Sequence, residues 1–352
     1  MNFVLLKMLT DDRASQSKGH TLARRRRSPI ADSHKTGISV MALFGISAVL
    51  LVGLVTTAGA QTKSPAAYNL KRGIERYNAR DFEAAISDFT EAIRINSGFI
   101  KSVAKKGNSL KDRQTAGVGD DDRIIVADPF NSLAYYDRGL TWLAKGDFDG
   151  AIGDLNRAIG INPRYLDAYL TRGRAWHSKG DLVRAISDYD QAIALDRHSA
   201  FAYNNRGIVR KDMQDMAGAI SDFDRALMLD SHLLQAYINR GAARCAVGDL
   251  AGAISDLDYA IASDPRNAMA YNNRGTTRQA AGDFTGALDD YNNAIQLDPE
   301  NALPYVNRGL IRLRQGNIAD AEADFKRGLE LDTELKPRVE ILLRGEKQPK
   351  ER

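Results

Sequence analysis

The pattern of apolar and polar residues along the chain is helical and recurs at a fixed interval. In residues 166–196, apolar side chains fall three or four positions apart, stop at Lys179-Gly180-Asp181, and then resume with the same spacing. This pattern predicts two helices joined by a tight turn, because glycine accepts the conformation that ends a helix and aspartate caps the next helix. Each repeat is therefore predicted to be a helical hairpin.

A glycine that follows a basic residue marks every repeat. The marker glycines are Gly73, Gly107, Gly139, Gly173, Gly207, Gly241, Gly275 and Gly309. Successive markers lie 34 residues apart, except for one step of 32 residues between Gly107 and Gly139. A fixed period of this length is typical of stacked supersecondary units, since a single hairpin cannot bury its apolar side alone. We therefore predict an all-α solenoid of stacked hairpins.

The repeats resemble the tetratricopeptide repeat (TPR) family. The repeat at 132–165 supplies the family's aromatic, glycine, alanine and proline positions with Tyr135, Gly139, Trp142, Ala151, Leu155, Ala158 and Pro163. Motifs such as AYNNRG, at 202–207 and again at 270–275, indicate repeats of a YxNRG type. The resemblance implies a right-handed superhelix whose concave surface is lined mainly by the first helix of each hairpin.

The repeat interval also predicts how the chain is divided. Residues 65–332 are expected to form about eight TPR units. The unit at about 99–130 is expected to be degenerate, because two glycines and three consecutive aspartates occupy its second helix. Residues 333–344 are predicted to form a helix that caps the last apolar face, and residues 345–352 a disordered tail.

The first 62 residues differ from the repeats in charge. They hold eight basic and three acidic residues, a surplus of +5, whereas the whole chain carries +4, which leaves −1 for the rest. A basic leader at 1–37 precedes an apolar segment at 38–60 that ends in a small-residue site. Two interpretations stay open, a cleaved secretory signal and a transmembrane anchor. Both predict export, with the repeats either in the periplasm or anchored to the inner membrane on its periplasmic side.

The sequence shows no pattern typical of an enzyme, a metal site or a nucleic-acid-binding protein. The five histidines form no group with ligand spacing, and the single cysteine, Cys245, cannot form an internal disulfide. The repeats carry almost no net charge and no basic stripe. We predict no catalytic residue, no metal and no cofactor, and we expect other proteins or extended peptide segments as partners.

Two sets of charged residues recur with the repeat. Arginine stands before the marker glycine, where TPRs usually have leucine, at Arg138, Arg172, Arg206, Arg240, Arg274 and Arg308. Aspartate recurs in the second helix at Asp154, Asp188, Asp222, Asp256, Asp290 and Asp324. Both sets lie at mirrored heights in an antiparallel hairpin, so we predict an Arg–Asp ladder along the solenoid. The alternative is solvated charge on a helix edge, which contributes little.

A further set of polar residues lies two positions before the marker glycine. Its members are Asp137, Thr171, Asn205, Asn239, Asn273 and Asn307. The resemblance places them on the concave surface, and the four asparagines resemble the ladder that lines the TPR superhelix of O-linked N-acetylglucosamine transferases. An amide both donates and accepts, so it can pair with the backbone of an extended peptide. The alternative is that these asparagines only bond to neighbouring groups of the chain itself.

These features predict a non-catalytic scaffold that captures partner segments in its concave groove. The alternative is a structural envelope protein that associates with itself or with a fixed partner through its edges, as a homo-oligomer would.

Overall fold

The computed structural model describes residues 64–111, 129–337, 339 and 340, without the side chains of residues 99–111. This part of the chain contains fourteen α-helices and no β-strand. The helices are α1 (Pro65–Asn78), α2 (Phe82–Lys111), α3 (Pro129–Lys145), α4 (Phe148–Ile161), α5 (Leu166–Ser178), α6 (Leu182–Leu195), α7 (Ala200–Asp212), α8 (Met216–Leu229), α9 (Leu234–Val247), α10 (Leu250–Ser263), α11 (Ala268–Ala281), α12 (Phe284–Leu297), α13 (Ala302–Arg314) and α14 (Ile318–Leu331). The predicted all-α fold is confirmed.

Consecutive helices pack in pairs, so the described residues form seven hairpins. Odd-numbered helices are the first helices of these hairpins, and even-numbered helices are the second helices. The chain divides between Asp196 and Arg197 into two compact units, the N-terminal unit (residues 64–196) and the C-terminal unit (residues 197–340). Within each unit, the first helices of successive hairpins also contact one another.

The turns inside the hairpins have the predicted glycine–aspartate chemistry. Gly180 adopts a φ of 86°, a left-handed conformation that ends α5 and that glycine reaches without a steric cost. The Asp181 side chain then accepts a hydrogen bond from the backbone N–H of Arg184 at 3.0 Å, which caps α6. Each hairpin therefore closes within a few residues, and its two helices lie side by side.

The marker glycines allow the second helix to approach the first. A Cβ atom on Gly207 would lie 2.7 Å from the ring of Phe223, and one on Gly173 would lie 2.8 Å from the ring of Tyr189. Both rings are fully buried against the first helix of their own hairpin. Glycine is required at these positions because any side chain would displace an aromatic residue from the core.

The first hairpin stacks directly on the hairpin of α3 and α4. Leu70, Phe89 and Ala134 share one apolar cluster, and the amide of Asn96 donates to that of Asn131 at 3.2 Å. Gly107, the marker of the expected degenerate unit, lies in the continuous helix α2. The expected second helix of that unit lies outside the described residues.

The end of the repeat array is covered by the residues that follow α14. Leu335, in the short 3₁₀ turn Thr333–Leu335, and Val339 pack into the cluster that contains Val306 and Phe325. Cys245 is buried within α9. None of the helices described is both long and apolar enough to cross a membrane. The basic leader at 1–37, the apolar segment at 38–60 and the tail at 345–352 lie outside the described residues.

Candidate functional site

Each second helix supplies a buried aspartate that binds an arginine of the first helix. In the hairpin of α9 and α10, Arg240 donates from Nε to Asp256 Oδ2 at 2.9 Å and from Nη2 to Asp256 Oδ1 at 2.6 Å. The same two-point pairing joins Arg72 to Asp88, Arg138 to Asp154, Arg172 to Asp188, Arg206 to Asp222, Arg274 to Asp290 and Arg308 to Asp324. The structure thus brings together the arginines and aspartates of the predicted ladder, each pair within one hairpin. These hydrogen bonds form between partly or fully buried charges.

The same arginines also connect neighbouring hairpins. Arg240 donates from Nη1 to the carboxylate of Asp224, on the second helix of the preceding hairpin, at 2.6 Å. Arg172 donates in the same way to the side-chain oxygen of Asn156 at 2.6 Å. The guanidinium of Arg240 also lies 5.5 Å from the ring centroid of Tyr237, within the range of a cation–π contact. Within each unit, the ladder arginines therefore connect a hairpin to the preceding one as well as closing their own hairpin.

A second arginine in the first helix binds the same aspartate in five hairpins. Arg244 donates from Nη1 to Asp256 Oδ2 at 2.9 Å. The equivalent residues are Arg76, Arg210, Arg278 and Arg312. Trp142 and Trp176 occupy this position in the other two hairpins. The sequence-based predictions assigned these arginines no role. Each of them follows the ladder arginine by four residues and so lies on the same helix face. This spacing could have predicted that both arginines bind one aspartate.

The asparagines two positions before the marker glycine are linked across hairpins through Asn204 and Asn272, which lie three positions before it. Asn239 donates to Asn204 at 3.1 Å, and Asn204 in turn donates to Asn205 at 3.3 Å. Asn307, Asn272 and Asn273 form the same series, with distances of 3.2 and 3.5 Å. The sequence-based predictions assigned Asn204 and Asn272 no role. In the structure, each of them connects two members of the predicted ladder.

Burial divides the four ladder asparagines into two classes. Asn239 and Asn307 are buried, so their amides serve contacts within the stack. Asn205 and Asn273 are only half-buried, and each accepts a hydrogen bond from the preceding asparagine. The amide groups that stay accessible to a partner are therefore those of Asn205 and Asn273.

The two remaining members of the set lie in the N-terminal unit. Thr171 is buried, and its hydroxyl is hydrogen-bonded to the phenol of Tyr136. Asp137 is 3% exposed, and its Oδ2 atom has no hydrogen-bond partner. Burial raises the pKa of Asp137 to about 7. Neither side chain is presented to solvent as a groove-lining residue would be.

Large apolar side chains are exposed one helical turn before the accessible asparagines. Phe201 is 37% exposed and precedes Asn205 by four residues, and Met269 is 47% exposed and precedes Asn273 by four residues. Residues four positions apart lie on the same side of a helix. We call the surface of α7 and α11 that carries these four residues the first-helix face. It combines apolar side chains with amides that can donate and accept.

Hairpins that stack through a shared core and expose one helical face define a class of protein, the α-helical repeat solenoid. Models of the tetratricopeptide repeat match residues 122–165, 136–200 and 303–334, and a model described as a TPR repeat matches residues 279–316. The chain therefore carries tetratricopeptide repeats, as the resemblance predicted.

Solved structures of TPR proteins share the fold. A tetratricopeptide repeat protein from Parabacteroides merdae superposes with a TM-score of 0.60 at 18% sequence identity, covering 80% of this chain and 98% of the other. The pilF protein of Pseudomonas aeruginosa gives a TM-score of 0.51 at 18% identity, covering 58% of this chain and 92% of the other. At these identities the similarity shows the fold alone. A comparison with curated proteins finds no match.

Proposed function

We propose that the chain is a non-catalytic interaction scaffold that binds extended segments of other proteins on its first-helix face. The observation that carries this proposal is the pairing of exposed apolar side chains with accessible amides at Phe201–Asn205 and Met269–Asn273. An extended segment offers backbone N–H and C=O groups to the amides and apolar side chains to the phenylalanine and methionine. Methionine suits such a surface because its flexible side chain adapts to different partners.

We further propose that the Arg–Asp ladder stabilises the stack and does not bind the partner. The Arg–Asp pairs are enclosed within and between hairpins, so their hydrogen-bonding groups are already used. The buried Nδ2 groups of Asn239 and Asn307 likewise donate to asparagines of the preceding hairpin. Partner binding is therefore assigned to a small number of side chains that the stack leaves accessible.

The proposed location is outside the cytoplasm. It is supported by the basic leader and the apolar segment at 38–60, which resemble a signal or an anchor. The test is to express the full chain with a C-terminal tag, treat spheroplasts with protease, and determine the mass of the chain in the envelope fraction. Protease-sensitive repeats support export, and their mass distinguishes cleavage after Ala60 from a retained anchor. Repeats that resist protease until the cells are lysed contradict export.

Site-specific photo-crosslinking in cells tests the proposed binding face. A photoreactive residue replaces Phe201 or Met269 in the full chain, and the matched control replaces Met228, which is 74% exposed on a second helix. We expect adducts with a different protein from the first two positions and none from the control. Equal adducts from all three positions would contradict binding on the first-helix face. Adducts of twice the chain's mass would instead support the self-associating alternative.

A further inference from the structure

Two aspartates of the N-terminal unit have no cationic partner among the residues whose side chains the structure describes, although the same chain pairs the aspartates of its ladder with arginines. Asp137, on α3, is almost fully buried and has an unpaired Oδ2 atom. Asp167, in the first turn of α5, is half-buried. Burial alone raises the pKa of both groups, and no nearby cation acts on either of them. An unpaired buried carboxylate is costly, so a chain rich in arginine would be expected to supply a partner.

Both carboxylates lie beside one pair of tyrosine rings. Tyr136 and Tyr165 have ring centroids 4.9 Å apart, with the planes tilted by 38°. Burial raises the pKa of each tyrosine most strongly, and the charges of Asp137 and Asp167 raise it further. We call these four residues the acidic tyrosine cluster. Tyr165 and Asp167 are half-buried, whereas Asp137 is buried.

The surrounding charges leave the cluster negative. Burial raises the pKa of Tyr77, on α1, and the charge of Asp137 raises it further. Arg174, on α5, is exposed and lowers the pKa of Tyr77, Tyr136 and Tyr189. Its charge has no resolved effect on the pKa of either aspartate. The charge of Arg174 therefore acts on neighbouring tyrosines, and Arg174 is not the cationic partner of Asp137.

We infer that the acidic tyrosine cluster binds a lysine or arginine side chain of a partner segment. This inference rests on the proposed function, because it assigns a specificity to segments that the first helices bind. A basic side chain would pair with the half-buried carboxylate of Asp167 and would place a positive charge near the buried carboxylate of Asp137. The faces of the two tyrosine rings attract the same cation. Charge complementarity thus selects a cationic residue over an acidic or apolar one.

The test uses the full chain and a displayed library of random nine-residue peptides. The wild-type chain is compared with Asp137→Asn/Asp167→Asn, and the matched control is Asp320→Asn/Glu322→Gln, which removes two exposed carboxylates from α14. Wild type and control are expected to enrich lysine or arginine at one peptide position. The Asp137→Asn/Asp167→Asn chain is expected to lose that preference at least tenfold. Its urea-unfolding midpoint at pH 8 checks that it is folded, since the substitution removes an uncompensated charge.

A second measurement uses the most enriched synthetic peptide and isothermal titration calorimetry. Asp137, with a pKa of about 7, is mostly ionised at pH 8 and mostly protonated at pH 6. Wild type should therefore bind the peptide up to about tenfold more weakly at pH 6, whereas the Asp137→Asn/Asp167→Asn chain should show no such change. Peptides enriched without a basic residue would overturn the inference and leave the proposed function standing. No enrichment by the wild-type chain would overturn both.

Discussion

Arg138 donates from Nη1 to the hydroxyl of Thr90, 48 residues earlier in the chain, at 2.9 Å. The same atom of Arg172 and of Arg240 reaches back only 16 residues, to Asn156 and Asp224. Thr90 thus occupies the place that the second helix of the preceding hairpin provides elsewhere in the stack. The 32 additional residues equal the length of segment 99–130, so this segment is an insertion between two hairpins that are direct neighbours.

Deleting residues 99–130 should therefore give a folded chain with an uninterrupted repeat. The deletion restores the 34-residue spacing between Gly73 and Gly139, and it joins residues that already meet, since Asn131 donates to Ser97 at 3.4 Å. We expect the urea-unfolding free energy of the remaining stack to fall by only about 1–2 kcal/mol, because Phe130 is lost from the apolar cluster of the first two hairpins whereas the change in chain length contributes weakly. Circular dichroism during urea unfolding measures it. Deleting 133–164, the same length from an intact repeat, is the control and should destabilise the chain strongly.

Substitution of a ladder aspartate should lower the free energy of unfolding more where two arginines donate hydrogen bonds to it. Asp256 accepts hydrogen bonds from Arg240 and Arg244, whereas Asp188 accepts them from Arg172. Asp256→Asn should reduce the free energy of unfolding by about 3 kcal/mol and Asp188→Asn by about 2 kcal/mol, since removing one partner leaves buried charge uncompensated. Urea titration of each variant provides the comparison.

The control for the ladder prediction is Asp258→Asn. Asp258 pairs with Arg274, but its side chain is 51% exposed, so we expect a loss below about 1 kcal/mol. Equal effects at Asp256, Asp188 and Asp258 would show that the ladder pairs behave as solvated surface charges.

The stability of the N-terminal unit should depend on the protonation of Asp137. The pKa of this group is about 7 in the folded chain, against 3.8 for an unperturbed group. The folded state then holds a proton that the unfolded state releases, so the contribution of Asp137 to stability is lost as the pH rises from about 4 to 7. The slope approaches about 1.4 kcal/mol per pH unit.

The variant Asp137→Asn isolates this dependence. From pH 5 to pH 8, the unfolding free energy of the variant should rise relative to that of wild type. The size of the pKa shift sets the increase at about 3 kcal/mol. Asp320→Asn, which changes an exposed carboxylate, should show no such trend. A constant difference between Asp137→Asn and wild type across this range would contradict the assignment.

The repeat period predicted much of the fold because each hairpin is specified locally. The turn at Gly180-Asp181 and the close packing of Gly173 on Tyr189 both follow from residues within one repeat. The Arg–Asp pairing was predictable for the same reason, since both partners lie at mirrored positions of one hairpin. Local information is sufficient where the contacts are local.

Contacts between hairpins were harder to predict. Whether an amide faces a partner or a neighbouring repeat depends on the residue one hairpin away, as with Asn239 and Asn204. The charge of Asp137 likewise raises the pKa of Tyr165, which belongs to the next hairpin along the chain. The direct stacking across segment 99–130 could not be predicted from a marker glycine, because Gly107 keeps the period while its helix continues from the preceding hairpin.

The central claim is that accessible amides bind the partner while buried amides hold the stack. Affinity for the protein crosslinked at Phe201 tests it, with Asn205→Ala/Asn273→Ala compared with Asn239→Ala/Asn307→Ala in the full chain. The first variant should lose at least tenfold in affinity with little change in its unfolding midpoint. The second should unfold at lower urea, because it leaves Asn204 and Asn272 without their donors. Undiminished affinity of Asn205→Ala/Asn273→Ala would contradict the claim.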